Sequence, residues 1–383
     1  MSAKKPNLMF LIRSLETGGA ERQLVALANG LADNGWTISV VTYYPGGDLE
    51  ETLSPKIGRH DLGKTSRWHL IGPLRTYLSL IRRIRPQAVH SYMDSANLLA
   101  AALRLFARPH KLIWGIRTSD MRDGHQDALQ KLLFRLETRL SRSADLIIAN
   151  SQTGLAFAQS QGISTSNGIA IRNGINTDRF SRDEQAGTAL RTRLGITADA
   201  PVISIVARLD PVKGHGVLLD AFATLNDPKA HLIIAGGGPD ALRNSLEAQA
   251  ATLGLANRVH FLGNVSDTQA VYSASDIAVL SSLYGEGTPN APAEAMACGT
   301  PCVVTELGDG PFVVGDTGET APPGDAQALS SALGRLLGRV KSEPDLRHRT
   351  RARIEEELSV SKLITDTQAA IESTLDKQPL SVL

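Results

Sequence analysis

Glu286-Gly287-Thr288-Pro289-Asn290-Ala291-Pro292-Ala293-Glu294-Ala295-Met296-Ala297-Cys298-Gly299 is the stretch from which the rest of the chain can be read. It follows a short apolar run, 277–280, that reads as a buried strand. Pro292 suits the first turn of a helix, with Asn290 or Ala291 as its cap, and Gly299 sits where such a helix ends. The segment therefore reads strand, loop, helix. Its prolines lack N–H groups, which leaves those of Gly287, Thr288, Asn290 and Ala291 to meet an anion. Glu286 falls in the loop and Glu294 in the first turns of the helix. Carboxylates accept paired hydroxyls such as those of a ribose or a sugar. On this segment alone the acids also read as helix-capping charges.

The same grammar runs outward in both directions. Candidate strands lie at 8–12, 37–42, 88–90, 112–116, 146–149 and 169–172, then at 202–207, 232–235, 259–262, 277–280 and 302–304. Helical patterns separate them, such as 20–34 and 126–140. Continuous apolar strands alternating with helices imply parallel sheets covered on both faces. Two such series in 383 residues imply an α/β protein of two Rossmann-like, doubly wound domains. Asn173-Gly174 is a turn signal at their boundary. The expected division is 1–174, 175–360, and a last helix in 361–383 that returns to the first domain. Ligands of such sheets sit beyond the carboxyl ends of the strands.

Three further segments stand at such ends. Gly18-Gly19 follows the first strand and opens the first helix, where backbone N–H groups can approach a ligand or merely make a tight turn. Arg208 and Lys213 share the loop after 202–207, where both can reach a diphosphate; the plainer reading is two surface cations near a turn. Gly236-Gly237-Gly238-Pro239 follows 232–235 and allows close approach to a nucleotide. No G-x-G-x-x-G with a following ribose acid is present, which disfavours a dehydrogenase.

Charge and cysteine content narrow the class further. Residues 1–174 carry 22 Lys/Arg against 13 Asp/Glu, a net +9, and the remainder carries −8. Eleven basic residues lie between 56 and 111 against Asp61 and Asp94. Such a face suits anionic lipid headgroups or a polyanionic acceptor, or is simply solvated; nucleic acid is not expected, because no recognition motif accompanies it. Cys298 and Cys302 read as buried thiols, since no second pair completes a metal site. No run reaches the roughly 20 apolar residues of a membrane span. The run 8–12 is too short for a secretory signal. The expected location is cytoplasmic, with a peripheral position on the inner membrane face.

Together the four segments resemble the GT-B glycosyltransferases, specifically glycosyltransferase family 4, over nearly the whole chain. The family's two glutamates with seven residues between them match Glu286 and Glu294, its phosphate-binding cations match Arg208 and Lys213, and its glycine loop matches Gly18-Gly19. Weaker matches are the segments 145–151, 172–175 and 258–263. The resemblance implies a GT-B fold whose two domains face across a central cleft, the first for the acceptor and the second for the donor. It implies that Glu294 binds the ribose, Glu286 the transferred sugar, and the backbone of Phe261, Leu262 and Gly263 the base. His90 matches a family position near the donor sugar; many members carry a second His two residues on, where this chain has Tyr92. The implied activity is metal-independent, retaining transfer of a hexose-type sugar from a nucleoside-diphosphate sugar, foremost a UDP-sugar, with no cofactor. The acceptor would be a lipid-linked or polysaccharide-precursor saccharide, as in lipopolysaccharide assembly. Glu286, His90, Arg208 and Lys213 are then the catalytic candidates. A sugar-nucleotide 2-epimerase has the same architecture, and a non-catalytic carbohydrate- or nucleotide-binding protein is the remaining alternative.

Overall fold

The computed structural model describes residues 5–66, 68–107, 110–117, 128–225 and 227–377, without the side chains of 128–133. The chain divides into two compact units, Met1–Gly174 with Val360–Leu383, and Ile175–Ser359.

The first unit carries strands β1 (Asn7–Ile12), β2 (Thr37–Thr42), β3 (Gly58–Asp61), β4 (Ala88–Tyr92), β5 (Lys111–Ile116), β6 (Leu146–Ala149) and β7 (Gly168–Ala170). Among the described residues they form one parallel sheet in the order β3-β2-β1-β4-β5-β6-β7. Strand alternation divides the core. Leu8, Phe10 and Ile12 face one cluster with Leu24, Leu27 and Leu31 of the helix Gly19–Asp33, while Met9 and Leu11 face another with Tyr77, Leu80 and Ile81 of the helix Ile71–Ile84. The helix Val360–Asp376 adds Leu363 and Ile371 to the first of these clusters. It approaches so closely at Gly30 that a Cβ there would stand 2.0 Å from Ile364 Cδ1.

The second unit repeats the plan with β8 (Val202–Val206), β9 (His231–Ala235), β10 (Val259–Gly263), β11 (Ile277–Leu280), β12 (Cys302–Thr305) and β13 (Glu319–Ala321). Its parallel order is β10-β9-β8-β11-β12-β13. Both sheets are thus doubly wound, as the alternation of apolar runs and helices implies. In each, the strand order reverses once, between β1 and β4 and between β8 and β11, and a crevice opens at such a point.

Several details differ from the sequence reading. β3 and β13 were not expected, because edge strands with Arg59, His60 and Glu319 carry no continuous apolar run. The expected helix 126–140 is present from Ala128 to Leu140; positions 126 and 127 lie outside the described residues. Cys298 and Cys302 are both free and buried, and burial pushes the Cys298 thiol up to about 12. No described helix is long and apolar enough to cross a membrane.

Candidate functional site

The loops after β8 and β11 meet at the switch point of the second unit. The Leu283 amide donates to the Val212 carbonyl at 2.7 Å, and Ser281 Oγ donates to the Lys213 carbonyl at 2.9 Å. Asp210 caps the short turn Pro211–Lys213 by accepting from the Val212 amide. Gly214 then turns with φ +64, and a Cβ there would stand 2.1 Å from the Ser281 carbonyl oxygen. Only glycine allows the two loops this approach.

That approach joins two of the predicted side chains. Lys213 Nζ donates to Glu286 Oε1 at 2.6 Å. Ser282 Oγ donates to the same oxygen, and Ser282 is itself held from Thr305 Oγ1 through its carbonyl at 2.9 Å. Glu286 is only 9% exposed. It is therefore a fixed carboxylate with one neutral and one cationic donor. Arg208 is not brought into this pair. Its side chain is 78% exposed and lies 3.5 Å from Asp210.

Next along the chain, Gly287 accepts from the Asp309 amide at 2.9 Å, and Thr288 is buried. The helix spans Asn290–Ala297 with Pro289 in the capping position and no side-chain cap. The cap expected at Asn290 or Ala291 is thus displaced, and both are first-turn residues. The proline leaves the chain extended at φ −75° and ψ 121°, a conformation that enters a helix without a capping side chain. Glu294, one turn in, accepts from Tyr272 Oη at 3.2 Å. Tyr272 is buried, and burial together with the Glu294 charge pushes its phenol well above the usual range. At its other end the helix is gripped by Arg351, whose guanidinium donates to the carbonyls of Ala297, Phe180 and Thr177.

A second group forms at the ends of β9 and β10. Gly236, Gly237, Gly238, Phe261, Gly263 and Asn264 line a pocket of about 190 Å³ with Leu209 and Arg243. Gly236 takes φ +147, and a Cβ would stand 1.9 Å from the Ala207 carbonyl oxygen. Leu262 does not line this pocket; by strand alternation it packs against Ile233 and its neighbours.

In the first unit, Gly18 precedes the helix Gly19–Asp33, again with no side-chain cap, and its α-hydrogen side is closed by Glu21. His90 is not at a strand end. β4 continues to Tyr92, so the imidazole lies inside the strand with 0% exposure. It is flanked by Phe10 at 5.5 Å and Tyr92 at 4.7 Å between ring centroids. Neither ring nitrogen has a hydrogen-bond partner, and burial, then the Arg117 charge, holds its pKa well below the usual value. The Arg117 guanidinium lies 4.4 Å over the Tyr92 ring.

Several residues of the two units have no sequence signal. Tyr272 holds Glu294 through a contact that only the tertiary fold creates, and Ser282, four residues before Glu286, is itself held by Thr305. His215, directly after Gly214, is 3% exposed, and burial and then Lys213 bring its pKa down to about 4. Glu137, on the helix Ala128–Leu140, is 7% exposed and is pushed up to about 8 by burial and then by Asp94. Among the described residues, no group of three or more His, Cys, Asp or Glu is arranged to hold a metal ion.

Comparison with known proteins identifies the family and the fold. Residues 17–179 match the family described as Glycosyltransferase Family 4, and residues 200–339 match Glycosyl transferases group 1. The chain is 28% identical over 325 residues to the putative glycosyltransferase EpsF of Bacillus subtilis, covering 80% of each. It is 29% identical over 331 residues to the lipopolysaccharide core biosynthesis glycosyltransferase LpsE of Rhizobium meliloti, covering 84% of this chain and 86% of that protein. Its fold matches Anabaena Alr3699/HepE, solved with UDP, at a TM-score of 0.84 and 23% identity over 96% of this chain and 100% of that one. With a family model matching in each unit, the chain belongs to the group 1, family 4 glycosyltransferases of the GT-B fold.

Proposed function

We propose that this glycosyltransferase moves a hexose-type sugar from a UDP-sugar, with retention and without a metal, to a lipid-linked or polysaccharide-precursor acceptor. The observation that carries the reading is the Lys213–Glu286 pair at the β8/β11 switch point, next to the uncapped start of the helix that holds Glu294. The diphosphate sits against Lys213 and the amides of Gly287, Thr288, Asn290 and Ala291, with Arg208 swinging in from solvent as a second cation. Glu294, oriented by Tyr272, takes the ribose hydroxyls. Glu286 takes a hydroxyl of the transferred sugar. The pocket beside Phe261 and Gly263 takes the base. The two unpartnered nitrogens of His90 support a role for it in binding, since a bound hydroxyl would give a neutral imidazole its missing partner. HepE, solved with UDP and with UDP-glucose, supports the choice of base, and LpsE, a lipopolysaccharide core biosynthesis glycosyltransferase, supports a polysaccharide-precursor acceptor.

In the transfer itself, the bond between the anomeric carbon and the leaving phosphate oxygen breaks. The acceptor oxygen then bonds to the same face of that carbon. The acceptor proton passes to the leaving phosphate oxygen, so no enzymic nucleophile enters. Lys213, Arg208 and the helix start stabilise the charge on the departing diphosphate. On the acceptor side, the basic first unit meets an anionic membrane surface.

The test is a thermal-shift screen with UDP-, GDP- and ADP-sugars, followed by NMR assignment of the product anomer. Binding to the folded state raises the melting temperature. A shift with UDP-sugars that vanishes in Glu294→Ala, and a product with the donor's anomeric configuration, are the expected results. An inverted product or a sugar trapped on Glu286 overturns the mechanism.

A further inference from the structure

The basic excess of the first unit does not act as a whole. Lys56 pairs with Asp33 at 2.8 Å, and Arg104 and Lys111 both pair with Asp145, at 2.6 Å and 3.7 Å. Arg67 and Arg108 lie outside the described residues. Arg59 and Lys64 donate to backbone carbonyls, and the other four, Arg75, Arg82, Arg83 and Arg85, gather on one helix and its cap. From residue 62 to 93 the chain has no Asp or Glu. Within that run the helix Ile71–Ile84 buries Pro73, Tyr77, Leu80 and Ile81, and exposes Ile71, Arg75, Ser79, Arg82 and Arg83.

The tip of that helix is apolar where a solvated tip would be polar. Eight large apolar side chains are exposed among the described residues. Three of them, Trp68 at 76%, Leu70 at 53% and Ile71 at 67%, fall within four positions. The loop that carries them is tied down: Lys64 Nζ donates to the His69 carbonyl at 3.0 Å, and Thr65 Oγ1 meets His69 Nδ1 at 3.2 Å. The apolar tip is a built feature of the fold.

We propose that Trp68, Leu70 and Ile71, with the arginine face of the helix behind them, form the surface by which this enzyme docks on an anionic bilayer. Tryptophan with aliphatic neighbours suits the headgroup boundary, where one part of the ring is dry and its N–H is wet. Arg75 stands one turn from Ile71 and Arg82 about 16 Å along the axis, so a row of guanidinium groups faces lipid phosphates while the tip inserts. The absence of acids over 62–93 removes the repulsion that an anionic surface would otherwise meet. A protein partner is disfavoured by the same charge pattern, which offers no paired polar rim. This inference rests on the membrane-side reading above and names the element responsible.

The full chain is mixed with vesicles of phosphatidylcholine containing about one-third phosphatidylglycerol, and with pure phosphatidylcholine, at low salt. Trp36 and Trp114 are buried, so a blue shift of tryptophan emission reports Trp68. The expected results are a blue shift and co-sedimentation with the anionic vesicles only. Trp68→Ser/Ile71→Ser should bind at least about ten-fold more weakly. Arg75→Gln/Arg82→Gln should do likewise, at about five-fold per cation. Both variants should keep the donor-induced thermal shift, which shows that they fold. Wild-type binding that neither pair weakens overturns this inference and leaves the membrane reading standing. Failure of the wild-type chain to bind anionic vesicles overturns both.

Discussion

The Tyr272 phenol and the Glu294 carboxylate lie 3.2 Å apart, donor to acceptor, with Tyr272 coming from the neighbouring helix Thr268–Ala274. Phe180 meets the Tyr272 ring edge-on at 6.5 Å, and Thr300 Oγ1 donates to the Tyr272 carbonyl at 2.9 Å. The acid proposed for the ribose is thus aimed by a phenol that is itself fixed. Because burial and the Glu294 charge keep that phenol protonated, it stays a donor throughout the working pH range.

Tyr272→Phe keeps the ring and removes the donor. A hydrogen bond to a charged acceptor is worth about 1.5–3 kcal/mol, so affinity for the nucleoside diphosphate should fall by about ten-fold or more. Titration calorimetry measures it. A phosphate-only ligand should lose nothing in the same variant; an equal loss for both would show that the phenol supports the helix rather than the ribose acid.

Lys213 and Glu286 are enclosed enough that each depends on the other. Lys213→Met leaves the buried Glu286 carboxylate with the Ser282 hydroxyl as its remaining donor among the described residues. Losing one partner of a buried pair costs about 3 kcal/mol. Denaturant unfolding should show that loss, and Lys213→Met/Glu286→Gln should recover most of it. Transfer activity should not return in the double variant, which separates the structural part of the pair from its chemistry.

His215 folds as a neutral imidazole. Its folded pKa, about 4, is below its unfolded value near 6.5, so the unfolded chain binds its proton first as the pH falls. The stability it contributes is complete above pH 6.5 and is lost progressively down to about pH 4, to a total of about 3 kcal/mol. His215→Gln should flatten the fall in melting temperature across that window. Parallel curves for the two proteins would contradict the neutral burial.

Glu137 has the opposite sign. With a folded pKa of about 8, above its unfolded value, it contributes most at low pH and loses that contribution as the pH rises through 8. Glu137→Gln should therefore melt higher than the wild type at pH 9 and close to it at pH 5. Melting curves at the two values decide it.

The fold was legible because parallel strands buried on both faces leave near-continuous apolar runs, and both sheet centres carry them, Leu8–Ile12 and, with Ser204 as its one polar residue, Val202–Val206. Edge strands such as Gly58–Asp61 lack them, since half of each faces water. The Glu286–Glu294 segment could be read because its prolines, glycines and acids act on local backbone. Tyr272 and the enclosure of His90 could not, because each arises from a neighbour distant in sequence; Ser282 is only four residues from Glu286, but it is fixed by Thr305 of β12. The strand holding His90 runs two residues past the imidazole to Tyr92, and Phe10 from β1 covers it. Arg208 shows a related limit: its loop position is right, yet its side chain is in solvent with Asp210 beside it.

The helix Val360–Asp376 belongs to the unit that the chain began, and the two crossings lie side by side, with Ile175 donating from its amide to the Leu358 carbonyl at 2.7 Å. The second unit is therefore an insertion within the first. Every contact it needs has left the ribosome before the helix that covers Gly30 has been made. Although chains are made from the amino end, the carboxyl-side unit is the earlier of the two to become complete. Until the last helix arrives, Leu24, Leu27 and Leu31 lack part of their cover, and the half-made first unit is the species that needs protection from aggregation.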